Sequence, residues 1–199
     1  MRDENRVRRQ GEIEEAAYEV LEKKGYAGTS MQGIARTARA SNETLYNWYG
    51  DKQGLFKALV ERNAANVKEL LEAERSSGRD TFSTLQLLGP RLLKLLLGNR
   101  AVALNRAAAA DASGELGETI SRAGREVVLP LLQELLEQGR RNGELIFDRS
   151  DEAAGLYVDL LVGDLQIRRV IGRLPPPTDE FCAKRSEKAL ANLAKLMRK

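Results

Sequence analysis

The residues with the most chemistry per position lie between Gly25 and Phe56, in the stretch GYAGTSMQGIARTARASNETLYNWYGDKQGLF. Asn42, Glu43, Thr44, Tyr46, Asn47 and Trp48 crowd amide, carboxylate, hydroxyl and aromatic groups onto one short segment. Those types suit the base edges of a DNA major groove, where Asn pairs bidentately with adenine and a Thr methyl touches the thymine methyl. Tyr46 can donate its hydroxyl to a phosphate, as can Lys52 and the amides at a helix N-terminus. Catalysis has far less to draw on. The chain has no histidine, which excludes Ser-His-Asp and Cys-His nucleophile pairs and any imidazole zinc site. A single cysteine, Cys182, excludes an intrachain disulfide and a thiolate cluster. Asp159 and Asp164 sit in an apolar run with no supporting acid, base or metal motif, and no Walker loop or dinucleotide fingerprint occurs. The expectation is a protein that is not an enzyme and carries no cofactor or metal.

The elements that must hold this segment are helical. Aromatics make up only 5% of the 199 residues while Ala, Leu, Glu and Arg abound, a helix-forming composition. Ile13, Ala16, Ala17, Val20 and Leu21 mark one face of a first helix, which Gly25 ends. Thr29-Ser30 precedes a short piece from Met31 to Ala38, and Ser41 caps another from Asn42 to Tyr49. Two helices joined by a tight turn form a helix-turn-helix unit, with Ile34, Ala35, Ala38, Leu45 and Tyr49 as its core. A long amphipathic run starts near Lys52 and breaks at Ser76-Ser77-Gly78. Beyond it the pattern gives Thr81 to Leu97, kinked or split at Gly89-Pro90, then Asn99 to Asp111, and one or two helices over Glu115 to Arg141 around Pro130. A helix from Asp151 to about Gly172 and a last one from Thr178 or Asp179 to near Arg198 flank the Pro175–Pro177 stop.

The fold class is therefore all-α: an N-terminal three-helix domain over residues 1–51, then a helical bundle over 52–199, with no flexible linker at Lys52. No segment approaches the ~18 uninterrupted apolar residues of a membrane span. No apolar stretch follows the N-terminal arginines, so the expected location is cytoplasmic.

These residues resemble the DNA-binding domain of TetR-family regulators. The resemblance rests on Gly25-Tyr26, Thr29-Ser30, Ile34-Ala35, Thr44-Leu45-Tyr46, Tyr49, and Lys52 with Leu55-Phe56, and spans roughly residues 7–59. Gly114-Glu115-Leu116-Gly117 and Gly143-Glu144-Leu145 resemble one C-terminal subfamily. Two positions depart from the pattern: Arg39 stands where the turn usually has Gly, and Ala40 where Val is usual. The resemblance implies that Asn42–Trp48 is a recognition helix. Gln32, Asn42, Thr44 and Asn47 would then face base edges, and Thr29, Tyr46, Trp48 and Lys52 would face phosphates. Arg39 would reach a phosphate from the turn, and Arg6, Arg8 and Arg9 would form an N-terminal arm. Residues 1–52 hold nine basic and nine acidic side chains, so binding requires acids on the outer face and bases toward the DNA.

The resemblance further implies a ligand-responsive repressor that acts as a homodimer on a near-palindromic double-stranded operator. Dimerisation would use helices at about 151–172 and 178–198, the first of which is apolar over most of its circumference. A small apolar or amphipathic effector would lie among Leu88, Leu92, Leu96, Leu131, Leu135, Tyr157 and Leu161, with Asn105, Arg106 or Asp159 as polar handles. Its binding would reorient the fourth helix and release DNA. The alternative is a helical adaptor that kept the scaffold and lost the DNA contacts.

Overall fold

The computed structural model describes residues 2–74 and 77–197. Ser76, expected in the break after the long run, and Arg198, expected near the end of the last helix, lie outside them. The described residues are helical and contain no strand. In chain order the helices are α1 (Arg2–Lys24), α2 (Met31–Thr37), α3 (Asn42–Tyr49), α4 (Lys52–Glu74), α5 (Thr81–Leu97) and α6 (Asn99–Ala109). Then follow α7 (Glu115–Ile120), α8 (Glu126–Arg141), α9 (Ser150–Val162), α10 (Leu165–Val170) and α11 (Asp179–Met197). No described helix is long and apolar enough to cross a membrane.

Contacts divide the chain into two compact units. The first combines Met1–Arg62 with Ala103–Ala123, so it takes in the start of α4, most of α6 and all of α7 besides the three N-terminal helices. Ile13, Ala17 and Leu21 of α1, Ile34 of α2, Leu45 of α3, and Leu55, Phe56 and Leu59 of α4 fill its core. Leu104 and Leu116 close it. Tyr26 packs edge-on to Phe56 with ring centroids 5.2 Å apart.

The second unit combines Asn63–Val102 with Gly124–Lys199. Here α11 packs against α5 and α9, and α8 against α9. Pro90 was expected to kink or split its helix; α5 is not split there and runs from Thr81 to Leu97. An interior proline costs about 3 kcal/mol. Leu85, Leu88, Leu92 and Leu93 are all buried around it, and burying each leucine is worth about 1.5–3 kcal/mol, which outweighs that cost. Between α7 and α8 the chain makes a π-helical turn, Ser121–Arg125. That wider turn ends one residue before Glu126, whose carbonyl the Pro130 ring would crowd.

The helix expected over 151–172 is two. Gly163, at φ +51 and ψ −130, stops α9, and α10 begins at Leu165. A carbonyl freed near the break, that of Leu161, accepts from Arg185 Nε of α11 at 2.8 Å. Arg169 of α10 is buried and donates to the carbonyls of Leu97 and Leu174 and to Asn99 Oδ1, each at 2.9 Å. One guanidinium thus ties the α5–α6 corner to the segment after α10.

Candidate nucleic-acid interface

The turn between α2 and α3 is built by backbone hydrogen bonds. Ser30 caps α2 by accepting from Gly33 N at 3.1 Å, and Ser41 caps α3 by accepting from Thr44 N at 3.0 Å. Arg39 N donates to Arg36 O at 3.2 Å and Ala40 N to Ala35 O at 2.9 Å, the paired bonds of a Schellman ending. That ending puts Arg39 at φ +51, and among the described residues it is the sole non-glycine with positive φ. The family glycine missing from this position therefore leaves real strain. Replacing Arg39 with Gly is expected to stabilise the folded chain by about 1 kcal/mol, read by urea denaturation. No gain would mean that contacts of the Arg39 side chain already offset the strain.

Only Leu45 of α3 is fully buried, and it anchors the helix in the core while the rest stays near the surface. Ala35 and Ala38 are buried beside it and allow close crossing of α2 and α3. At the other end Asp51 Oδ1 accepts from Gly54 N at 2.7 Å and caps α4. A Cβ at Gly54 would lie 2.0 Å from the Tyr49 carbonyl oxygen, so only glycine lets α4 start this close to the end of α3.

Gln32, Asn42, Glu43, Tyr46 and Asn47 are exposed, Tyr46 to 53%. Thr44 is half-buried and its hydroxyl lies 2.8 Å from Ser41 Oγ. Trp48 is half-buried with the Arg6 guanidinium 5.7 Å above its ring. Arg39 is exposed, and its carbonyl accepts from Arg9 Nη2 at 2.5 Å.

Two of the residues expected at phosphates make contacts within the protein. Thr29 is 3% exposed and donates its hydroxyl to the Gly25 carbonyl at 2.7 Å, so its one proton closes the turn after α1. Lys52 Nζ donates to the Tyr26 carbonyl at 3.2 Å and sits 4.0 Å from the Tyr26 ring centroid, which makes it a brace between α4 and that turn. The N-terminal arginines belong to α1, and Arg8 and Arg9 both pair with Glu12 at 2.5 Å.

Sequence reasoning missed three features here. Glu14 is 2% exposed and pairs with Arg62 Nε at 3.0 Å, tying α1 to α4; its place beside Ile13 on the buried face was the available signal. Tyr26 donates to Glu115 Oε2 at 3.5 Å, joining the first turn to α7. The Tyr49 hydroxyl is buried with no hydrogen-bond partner among the described residues. Burial, then the nearby Glu14 carboxylate, push the Tyr49 phenol up to about 12 from its ordinary 10. The folded chain thus holds this proton more tightly than the unfolded one, so its contribution to stability is complete below pH 10 and is lost as pH rises from 10 through 12. Tyr49→Phe is expected to add about 1 kcal/mol at pH 7 by removing the unpaired hydroxyl, and to flatten the alkaline loss of stability. An unchanged denaturation midpoint at pH 7 and pH 11 would contradict both.

The apolar residues expected around an effector lie in or against the core of the second unit. Leu88, Leu92, Leu135, Tyr157 and Leu161 are core residues of the second unit, and Leu96 and Leu131 pack half-buried against them. The Tyr157 hydroxyl donates to the Leu85 carbonyl at 3.3 Å. Asn105 is half-buried in the part of α6 that belongs to the first unit, and Arg106 and Asp159 are exposed, so neither is a buried handle. The second unit also holds a cleft of about 530 Å³ between α4, α5 and the start of α6, and none of the ten residues expected around an effector lines it. Among the described residues no group of three or more acidic or cysteine side chains is placed to hold a metal.

A short helix with an outward polar face, set by a tight turn on a small helical base, defines a helix-turn-helix protein. Residues 13–59 match the family model of bacterial regulatory proteins, tetR family. Residues 83–193 match the C-terminal domain of AefR-like transcriptional repressors. The chain therefore belongs to the TetR family of bacterial transcriptional regulators. It is 34% identical over 84 residues to the uncharacterized HTH-type transcriptional regulator YvkB of Bacillus subtilis (strain 168); that match spans 42% of this chain and 43% of YvkB. A TetR transcriptional regulator from Agrobacterium tumefaciens is 30% identical with a TM-score of 0.72, over 96% of this chain and 94% of that one. The flavonoid-responsive regulator FrrA is 25% identical with a TM-score of 0.69, over 96% of this chain and 98% of its own.

Proposed function

We propose that this chain is a cytoplasmic, ligand-responsive repressor that binds a near-palindromic DNA operator as a homodimer and is released from it by a small-molecule effector. The observation that carries the reading is the exposed row Asn42, Tyr46 and Asn47 on a helix whose one fully buried residue is Leu45. Asn42 and Asn47, with Gln32 from α2, meet base edges; Tyr46 and Trp48 meet phosphates on either side; Arg39 reaches the backbone from the turn. Residues 1–51 do the reading, and residues 52–199 hold the effector and the dimer contact. The protein binds its partners and transforms none of them.

Leu156, Leu160, Phe181 and Leu190 are only half-buried in the single chain, and Ile167, Ile171 and Leu196 are exposed. That apolar surface on α9 to α11 suits a twofold contact with a second copy. Such a dimer sets two recognition helices about one DNA turn, roughly 34 Å, apart. Effector release fits a family in which one similar regulator is named for its response to a flavonoid. The α4 helix, continuous from Lys52 to Glu74, carries the signal along the chain.

Selection of genomic fragments by the purified protein tests this reading. A few fragments sharing an inverted repeat are expected, bound with an affinity that falls as salt rises. Retention of no specific fragment at low salt would end it.

A further inference from the structure

The cleft in the second unit has a chemistry of its own. Arg91 and Lys94 of α5 and Arg100 of α6 stand on its wall, and no acidic residue lines it. Val67, Leu95 and Ala101 supply an apolar floor. Asn99 also faces it, and its side-chain oxygen already accepts from the buried Arg169 at 2.9 Å, so the group it can offer a ligand is its N–H. Lys94 pairs at 2.8 Å with Asp179, which is 87% exposed. A pair so open to water is weak, and a better-placed anion can replace it. About 530 Å³ is a volume typical of small-molecule sites.

We infer that this cleft binds an amphipathic anion, a carboxylate or phosphate head on an apolar chain. The head lies among Arg91, Lys94 and Arg100 and takes the Asn99 N–H, while the chain covers Val67 and Leu95. Guanidinium groups bind either head through paired N–H donors, which accounts for arginine at two of the three cationic positions. The start of α6 adds the positive end of its helix dipole to the field these side chains make. The inference rests on the ligand-responsive reading above and adds the class of effector to it.

Titration calorimetry on the full chain tests it with four probes that share a ten-carbon chain: decanoate, decyl phosphate, decanol and decyltrimethylammonium. The two anions are expected to bind at least tenfold more tightly than the alcohol or the cation, and more weakly as salt rises. Arg91→Gln and Arg100→Gln are each expected to weaken decanoate binding about tenfold. Arg140→Gln, an exposed arginine paired with Glu137 outside the cleft, is expected to leave it unchanged. Binding of decanol as tight as decanoate, no binding of either anion, or anion binding untouched by both cleft variants would overturn the inference. Operator binding measured on the same preparations separates the two readings. A protein that holds its operator but ignores the anions loses only the assignment of the cleft, whereas one that holds no operator loses the regulator reading whatever the cleft binds.

Discussion

Asn42→Ala combined with Asn47→Ala should leave a folded protein that can no longer tell its operator from other DNA. Both side chains are exposed, so neither change opens a cavity. Leu45, which anchors the helix, is untouched. Each bidentate contact to a base is worth about 1–3 kcal/mol of discrimination. Losing both is expected to reduce specific affinity by roughly two orders of magnitude or more while the salt-dependent affinity for random DNA persists. Tyr46→Phe makes the contrast: loss of a phosphate contact weakens binding about equally on all sequences. Competition mobility shifts with operator and scrambled fragments measure both. An unaltered ratio of specific to random binding in the double variant would remove these asparagines from the reading face.

Gly89→Ala should be among the most damaging single changes in the second unit. A Cβ at Gly89 would stand 2.0 Å from Ser186 Oγ and 2.9 Å from Ser186 Cβ, with the Tyr157 hydroxyl at 3.1 Å. Ser186 is 3% exposed and Tyr157 is fully buried, so neither can move aside without disturbing the core. Overpacking of this kind costs about 1–3 kcal/mol, and α5 already accommodates Pro90 at the next position. Chemical denaturation is expected to show a loss at the upper end of that range. Ser186→Gly is expected to recover most of it in the double variant, since the two sites are in contact and couple. Additive losses in the double variant would show that the crossing of α5 and α11 is not what fixes residue 89 as glycine.

Much of this molecule was legible in the chain because helix faces repeat and caps have fixed chemistry. The periodicity from Ile13 to Leu21, the serines at 30 and 41 and the lone buried leucine of α3 place the helix-turn-helix, and Arg39 in a glycine position announces its strain. What the chain hid depends on the third dimension. Only the path of the turn at Gly25–Tyr26 brings carbonyls within reach of Thr29 and Lys52. Leucine spacing marks an inner face, and Leu88, Leu135 and Tyr157 lie on it in the core of the second unit. The cleft escaped notice because its walls join residues some forty positions apart, Asn63 to Ala101, of mixed polar type and with no shared period. The break at Gly163 lay inside an apolar run whose periodicity continues across it.

On this reading the outward face of α3 meets base edges in the major groove. Methylation interference on a selected operator tests it most directly. Guanine N7 lies in the major groove and adenine N3 in the minor groove, so the two methylated positions report on separate surfaces. N7 methylation within each half-site is expected to block binding, in two patches about one helical turn apart, while N3 methylation there leaves binding intact. Binding that tolerates N7 methylation throughout and fails on N3 methylation would contradict it.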